Sequence, residues 1–327
     1  MSSYLISGVA GSIGARTAEL LLEEGHRVIG VDNLNDAYDV RMKEYRLRRL
    51  QRYPAFRFHR LDISERAQVL GDTSPIEKEE IEAVIHLAAR AGVRASVENP
   101  WIFLETNLIG TLNMLEWARQ HGVPKFIFAS TSSIYGSNPP LPTPEDASSD
   151  RPLQPYAASK KGAEALCHSY HYLYGLDVTI LRYFTVYGPA GRPDLAMFRF
   201  CQWIHEGRPV RVNGDGEQSR GFTYVDDIAH GTILALKPLG YEIINLGGHE
   251  VITINALIRL FEEVIGQRAQ VIYGPPNPAD MLTNWADVSK ARRLLGWEPR
   301  VSLREGVERL VEWYRQERSW AREILTV

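Results

Sequence analysis

A chain of 327 residues, 44% of them hydrophobic, is long enough to bury a large core as one large domain or two of ordinary size. Its 37 basic and 40 acidic residues leave a formal charge of −3, which argues against bulk attraction to nucleic acid or an anionic membrane and leaves any anionic ligand to local arginines. Two cysteines, Cys167 and Cys201, without histidines at ligand spacing, argue against a disulfide framework and a zinc site, so no metal is expected.

Met1 runs directly into the strand-like Tyr-Leu-Ile-Ser-Gly-Val-Ala-Gly with no basic leader, and no apolar run reaches the ~20 residues of a membrane span. A cytoplasmic protein is expected. Short runs rich in β-branched residues predict strands at Tyr4–Ser7, Arg27–Val31, Phe56–His59, Ala83–Leu87, Lys125–Ser130 and Val178–Leu181. Between them, helical spacing predicts Ser12–Glu24, Val40–Arg52, Trp101–Gln120 and Tyr156–Tyr174. This alternation describes an α/β fold with a doubly wound parallel sheet of Rossmann type. The proline-rich stretch 138–155 reads as a loop, long enough to be functional. After Gly188-Pro189 the texture breaks into shorter elements, with late helices at Ile254–Ile265 and Ser302–Glu317. Residues 1–190 are therefore expected to form a dinucleotide-binding domain, and 191–327 chiefly a smaller C-terminal α/β lobe for substrate, with some exchange of chain between them.

Gly8-Val9-Ala10-Gly11-Ser12-Ile13-Gly14 follows a predicted strand and opens a predicted helix, where glycines permit a tight turn and close approach of a pyrophosphate to helix N-terminal amides. Asp32, at the end of the second strand, is placed to accept from a ribose 2′-hydroxyl and to repel a 2′-phosphate, which favours NAD over NADP. Tyr156 and Lys160, four apart on a helix, share one face, and a cation beside a phenol lowers its pKa toward use as a base. Ser130-Thr131-Ser132-Ser133 ends the fifth strand, where a hydroxyl can bridge Tyr156 and a substrate oxygen.

These motifs, with His86-Leu87-Ala88-Ala89, Asn107 in Glu105-Thr106-Asn107, the run Arg182–Gly188 and Phe222–Asp227, resemble the extended short-chain dehydrogenase/reductase family of nucleotide-sugar epimerases and dehydratases. The resemblance spans essentially the whole chain, through Trp297-Glu298-Pro299. It implies NAD contacts from Gly8, Gly11, Ser12, Ile13, Gly14, Asp32, Asn33, Asp62, Ile63, Leu87, Ala88, Ala89, Asn107, Tyr156, Lys160, Tyr183, Phe184 and Val186, with Thr131 as the hydroxyl partner of Tyr156. It further implies a diphosphate-binding role for Arg220 and a ribose-binding role for Asp280. Helices near 101–120 and 156–174 resemble the family's dimerising pair, which implies a homodimer.

Within that family, dehydratases carry Asp and Glu after the active-site Thr, where this chain has Ser132 and Ser133, and decarboxylases commonly carry a Glu there. Hydroxyls do not supply the acid and base that elimination needs. Epimerisation at C4 of a UDP-sugar is the expected reaction. Thr185 stands where plain hexose epimerases carry Asn, and Asn277 where they carry Arg. The run ending in Gly191-Arg192-Pro193-Asp194 resembles UDP-glucuronate 4-epimerases instead. Thr131, Ser132, Ser133 and Thr185 then offer neutral donors to a sugar carboxylate. Arg192 is a candidate for charge pairing or for positioning the ring, and Arg94, after the fourth strand, for facing substrate. UDP-glucose epimerisation and UDP-glucuronate decarboxylation remain the alternatives.

Overall fold

The computed structural model describes residues 1–76, 80–248, 250–276 and 283–326. Among the described residues thirteen strands are present: β1 Ser3–Ser7, β2 Arg27–Asp32, β3 Phe56–Arg60, β4 Ala83–His86, β5 Lys125–Thr131, β6 Asp177–Tyr183, β7 Thr185–Tyr187, β8 Val210–Asn213, β9 Ser219–Tyr224, β10 Tyr241–Leu246, β11 Val251–Thr253, β12 Val271–Gly274 and β13 Thr283–Asn284. Seven form one sheet in the order β10-β6-β5-β4-β1-β2-β3, every pair parallel. The order reverses between β1 and β4, opening the crevice in which doubly wound sheets bind ligands.

Parallel sheets are covered on both faces, and the sequence obeys this: all seven residues of β5 are buried. Ile6, Val28, Ile127 and Leu181 pack on one face against Leu21 of helix Ser12–Glu23 and Ile228 of helix Val225–Leu234. Leu5, Ile29, Phe126 and Phe128 pack on the other against Trp117 and Cys167. Both cysteines are free and buried. A third core, with Phe198, Phe261, Leu310, Trp313 and Tyr314, fills the C-terminal lobe and takes in Met42 from helix Arg41–Leu50. Among the described residues, no helix is long and apolar enough to cross a membrane.

The six expected strands lie within two residues of those observed, and the structure differs from expectation at two places. Strand β10, which no expectation included, pairs with β6 and closes the sheet's edge from beyond residue 190. The expected helix Trp101–Gln120 is interrupted: Pro100–Leu104 leads into a wide π-type turn at Glu105–Ile109, then Gly110–Gln120 resumes. The turn seats Gly110 directly over Ile63, where a Cβ would stand 2.7 Å from the Ile63 side chain. The loop 138–155 is pinned, since Thr143 exchanges backbone hydrogen bonds with Trp285 at 3.0 Å and Asp287 at 2.9 Å.

Candidate functional site

The glycine turn is shaped by close packing. Gly8 has φ +72°, and a Cβ there would sit 2.7 Å from Ala88 backbone; a Cβ on Gly14 would run into the Gly8 carbonyl. Ser7 ties the neighbouring β4 end to this turn: its hydroxyl accepts from the Ala88 amide at 3.2 Å and lies 2.6 Å from His86 Nδ1. Asp32 is buried, accepting from the amides of Ala10 at 3.2 Å and Leu34 at 2.8 Å, so the carboxylate and the turn form one unit. Asn33 donates to Asp62 at 2.7 Å. Burial alone would raise the Asp62 pKa, but hydrogen bonds from Ser64 and Asn33 outweigh it and hold the carboxyl below its ordinary range. Ile63 is buried in the core, its carbonyl accepting from Asn113 at 2.8 Å.

Asn107, fully buried in the π-type turn, binds both backbone groups of Arg90, at 2.8 and 3.0 Å, and donates to Ser159 at 2.9 Å. Ser159 in turn donates to the Tyr156 carbonyl at 2.7 Å. Asn107 thus bolts the segment after Ala89 to helix Pro155–Tyr174, whose first turn begins at Pro155 and carries Tyr156. The Thr131 hydroxyl lies close enough to the Tyr156 phenol to favour its ionised form. Burial lifts that phenol above its ordinary range, against the lowering pull of Thr131 and Arg192. The cation acting on it here is Arg192, where the sequence points to Lys160. Lys160 itself is 2% exposed, with its ammonium 4.3 Å from the centre of the Phe128 ring. Burial lowers its pKa from 10.5 to about 8, against the raising influence of Cys167 and Glu164.

Among the substrate candidates, Ser132 accepts from Asn284 at 3.0 Å, and Ser133 lies 3.3 Å from Thr131. Thr185 opens β7, which pairs with β9 at Phe222, while β9 carries Arg220 beside β13. Arg192 forks onto Asp194 at 3.1 and 2.5 Å and donates to the Ala91 carbonyl at 3.3 Å. With the Asn213 amide turned so that its oxygen faces the guanidinium, Arg94 donates to it at 2.6 and 3.3 Å, joining the segment after β4 to β8. Arg220 donates to the Ser219 carbonyl at 2.7 Å. Of the Arg182–Val186 run, Tyr183 turns its side chain into the core to meet Thr232 at 2.7 Å, Phe184 packs with Tyr135 and Ala157, and Val186 is half-buried between two cores. Asp280 and Asn277 lie outside the described residues. No cluster of metal-ligating side chains occurs among the described residues.

Sequence reasoning missed Lys43, Arg46, Glu164 and Asn284. Lys43 and Arg46 are buried on helix Arg41–Leu50, in the same stripe as Met42, Leu47 and Leu50. Basic residues inside an apolar stripe were the available signal. Lys43 lies 3.7 Å from Asp32 and donates to Asn35 at 3.0 Å. Burial lowers its pKa, and Asp32 opposes the shift. Glu164 binds Arg182 at 2.8 and 2.9 Å and accepts from Ser130 at 2.6 Å, all three buried.

Residues 4–247 match the model of the NAD dependent epimerase/dehydratase family. The chain is 55% identical, over 97% of both chains, to a UDP-glucuronate 4-epimerase of Thermodesulfobacterium geofontis. Its structure is similar to that of a UDP-glucuronic acid 4-epimerase from Bacillus cereus in complex with UDP-glucuronic acid and NAD, at TM-score 0.88 and 36% identity over 96% of this chain and 99% of that one. It is similar as well to a UDP-glucose 4-epimerase from Thermotoga maritima with UDP-glucose, at TM-score 0.89 and 35% identity over 96% and 99%. The chain belongs to the NAD dependent epimerase/dehydratase family.

Proposed function

We propose that this protein interconverts UDP-glucuronate and UDP-galacturonate by oxidising and re-reducing C4 of the sugar with a tightly held NAD. The observation that carries the reading is the pair of residues directly after Thr131: the hydroxyls of Ser132 and Ser133, with Ser132 fixed by Asn284, stand where elimination of water would need ionisable groups. A dinucleotide fits the crevice because the chain is pared to glycine at Gly8 and Gly14, helix amides open toward it, and Asp32 is presented with Lys43 behind it.

Bound NAD supplies the hydride acceptor, and then donor, at C4. Tyr156 takes the proton of the C4 hydroxyl and later returns it, with Thr131 holding the phenol toward the sugar. Arg192 is the cation that favours the phenolate, while Lys160, still a cation at neutral pH one helical turn away, is left to the cofactor. Ser132, Ser133 and Thr185 donate to the C6 carboxylate, and holding that group in place while C4 is a ketone opposes loss of carbon dioxide. Arg220 faces the diphosphate, while Arg192, beside Tyr156, addresses the sugar acid or ring; Arg94 borders the same space. On this reading residues 1–190 chiefly hold the cofactor and 191–327 the sugar nucleotide. The two free, buried thiols suit a reducing cytoplasm. A homodimer is the working form: Trp101 is 73% and Tyr172 80% exposed, on the helices named for it, beside exposed Leu104, Ile109 and Leu173.

The test is proton NMR of the purified protein with UDP-glucuronate and no added NAD. Growth of UDP-galacturonate without a pentose product supports the reading. UDP-xylose would establish decarboxylation, and turnover of UDP-glucose alone would establish the hexose epimerase.

A further inference from the structure

Arg46 occupies a position that the reaction as proposed leaves unused. It sits on helix Arg41–Leu50, 4% exposed, with no carboxylate at ion-pair distance among the described residues. Its Nε donates to the Ala190 carbonyl at 2.8 Å and its Nη2 to the Gly191 carbonyl at 3.0 Å, while Nη1 donates to the Ala10 carbonyl at 2.9 Å and the Tyr38 hydroxyl at 2.9 Å. One planar fork therefore grips two segments far apart in the chain. The first, at Ala10, is the glycine turn that opens toward the dinucleotide. The second, Ala190–Gly191, leads directly into Arg192.

Two features argue that this grip sets geometry beyond filling space. Ala190 is held at φ +48°, a left-handed conformation that a residue with a Cβ seldom adopts and that persists only where its surroundings over-determine it. Arg46 supplies such a constraint, by fixing the carbonyls of two successive residues, Ala190 and Gly191. The Tyr38 hydroxyl that accepts from Arg46 also lies within electrostatic reach of Arg192, whose cation in turn acts on the Tyr156 phenol. A path of direct contacts thus runs from the dinucleotide turn through Arg46 to the segment bearing Arg192. A buried guanidinium is costly where a neutral side chain would pack, and here its donors are spent on main-chain carbonyls of two different loops.

We propose that Arg46 is a positioning residue that locks the Arg192 segment to the dinucleotide turn, so that a seated cofactor presets the arginine that receives the sugar nucleotide. The proposal rests on the epimerase reading for the role of Arg192, but its structural half does not. The experiment compares NAD-saturated wild-type protein with Arg46→Lys and Arg46→Met, by hydrogen exchange of residues 188–195 and by steady-state kinetics with UDP-glucuronate. Exchange at 190–195 is expected to quicken about tenfold or more in Arg46→Met, and KM to rise about tenfold with kcat within about threefold. Arg46→Lys, which reaches fewer carbonyls at once, should fall between and serves alone where Arg46→Met does not fold. Unchanged exchange, or an unchanged KM beside a lowered melting temperature, overturns the proposal and leaves Arg46 a purely structural residue. Should the wild type not turn over UDP-glucuronate, the epimerase reading fails while the exchange comparison still decides whether Arg46 locks the segment.

Discussion

Replacing Lys160 with methionine should stabilise the cofactor-free protein near neutral pH while abolishing turnover. The Lys160 ammonium is 2% exposed against Phe128, and burial brings its pKa from 10.5 to about 8. Between those two values the unfolded chain binds more protons than the folded one, so this group's contribution to stability rises with pH there. Below about 8 the whole penalty stands, about 3 kcal/mol at roughly 1.4 kcal/mol per pKa unit. Methionine keeps a straight, apolar chain and removes the charge. At pH 7 the substituted protein should gain up to about 3 kcal/mol, which for a chain of this length is roughly 4 °C in Tm. By pH 10.5 the gain should fall to about 0.4 kcal/mol, because lysine is then neutral in the folded chain and half neutral in the unfolded one. Urea unfolding of both proteins at pH 7 and pH 10 measures this. A Lys160→Met protein that is less stable at pH 7, or a gain that ignores pH, refutes the claim that burial governs this ammonium.

His86, fully buried between Ser7 and Thr111, is lowered by burial and by Lys160 to about 3. The unfolded chain takes up this proton near 6.5, so about 2 kcal/mol of stability should be lost between pH 6.5 and 5, and His86→Gln should flatten that limb in urea titrations. Glu164→Gln leaves the buried Arg182 guanidinium without its carboxylate partner and should cost about 3–5 kcal/mol by denaturant unfolding, most of it recovered by an apolar replacement of both residues. Tyr156→Phe should lower kcat at least about a hundredfold with NAD content and circular dichroism intact; near-normal turnover removes Tyr156 from the chemistry. Lys43→Met removes the buried cation behind Asp32 and should weaken NAD binding about tenfold, read by equilibrium dialysis of the stripped protein; equal affinity would make Lys43 a helix-packing residue only.

What the sequence made legible is what local rules determine. Strand β5 announces itself as Phe-Ile-Phe-Ala because both faces are covered, and the glycine turn because Gly11 and Gly14 answer steric demands within their own strand–turn–helix unit. Strand β10 escaped because Tyr-Glu-Ile-Ile-Asn-Leu is ordinary for an edge strand of either lobe, and only its pairing with β6 assigns it to the large sheet. The wide turn at Glu105–Ile109 escaped because nothing in its composition breaks a helix; tertiary demands, the fit of Gly110 on Ile63 and of Asn107 on Arg90, impose it. The motif Arg182–Gly188 was legible as a unit, yet its members diverge: Arg182 pairs with Glu164, Tyr183 enters the core, and Thr185 begins a strand of the second lobe. Motifs mark a place in the chain, and packing decides which atoms face the crevice.

The same packing bears on why a cofactor would stay. An epimerase must keep its dinucleotide through two hydride transfers, since release midway strands the ketone. Lys43 and Lys160 are each at most 5% exposed, and of the two only Lys43 has a carboxylate at ion-pair distance among the described residues, Asp32 at 3.7 Å. Buried cations left with incomplete partners are costly, and on the proposed reading a bound dinucleotide with its diphosphate and ribose hydroxyls would satisfy them. Affinity of this kind is built by relief of a penalty already present in the folded chain. It should resist salt far better than surface pairing does, because little solvent reaches the charges.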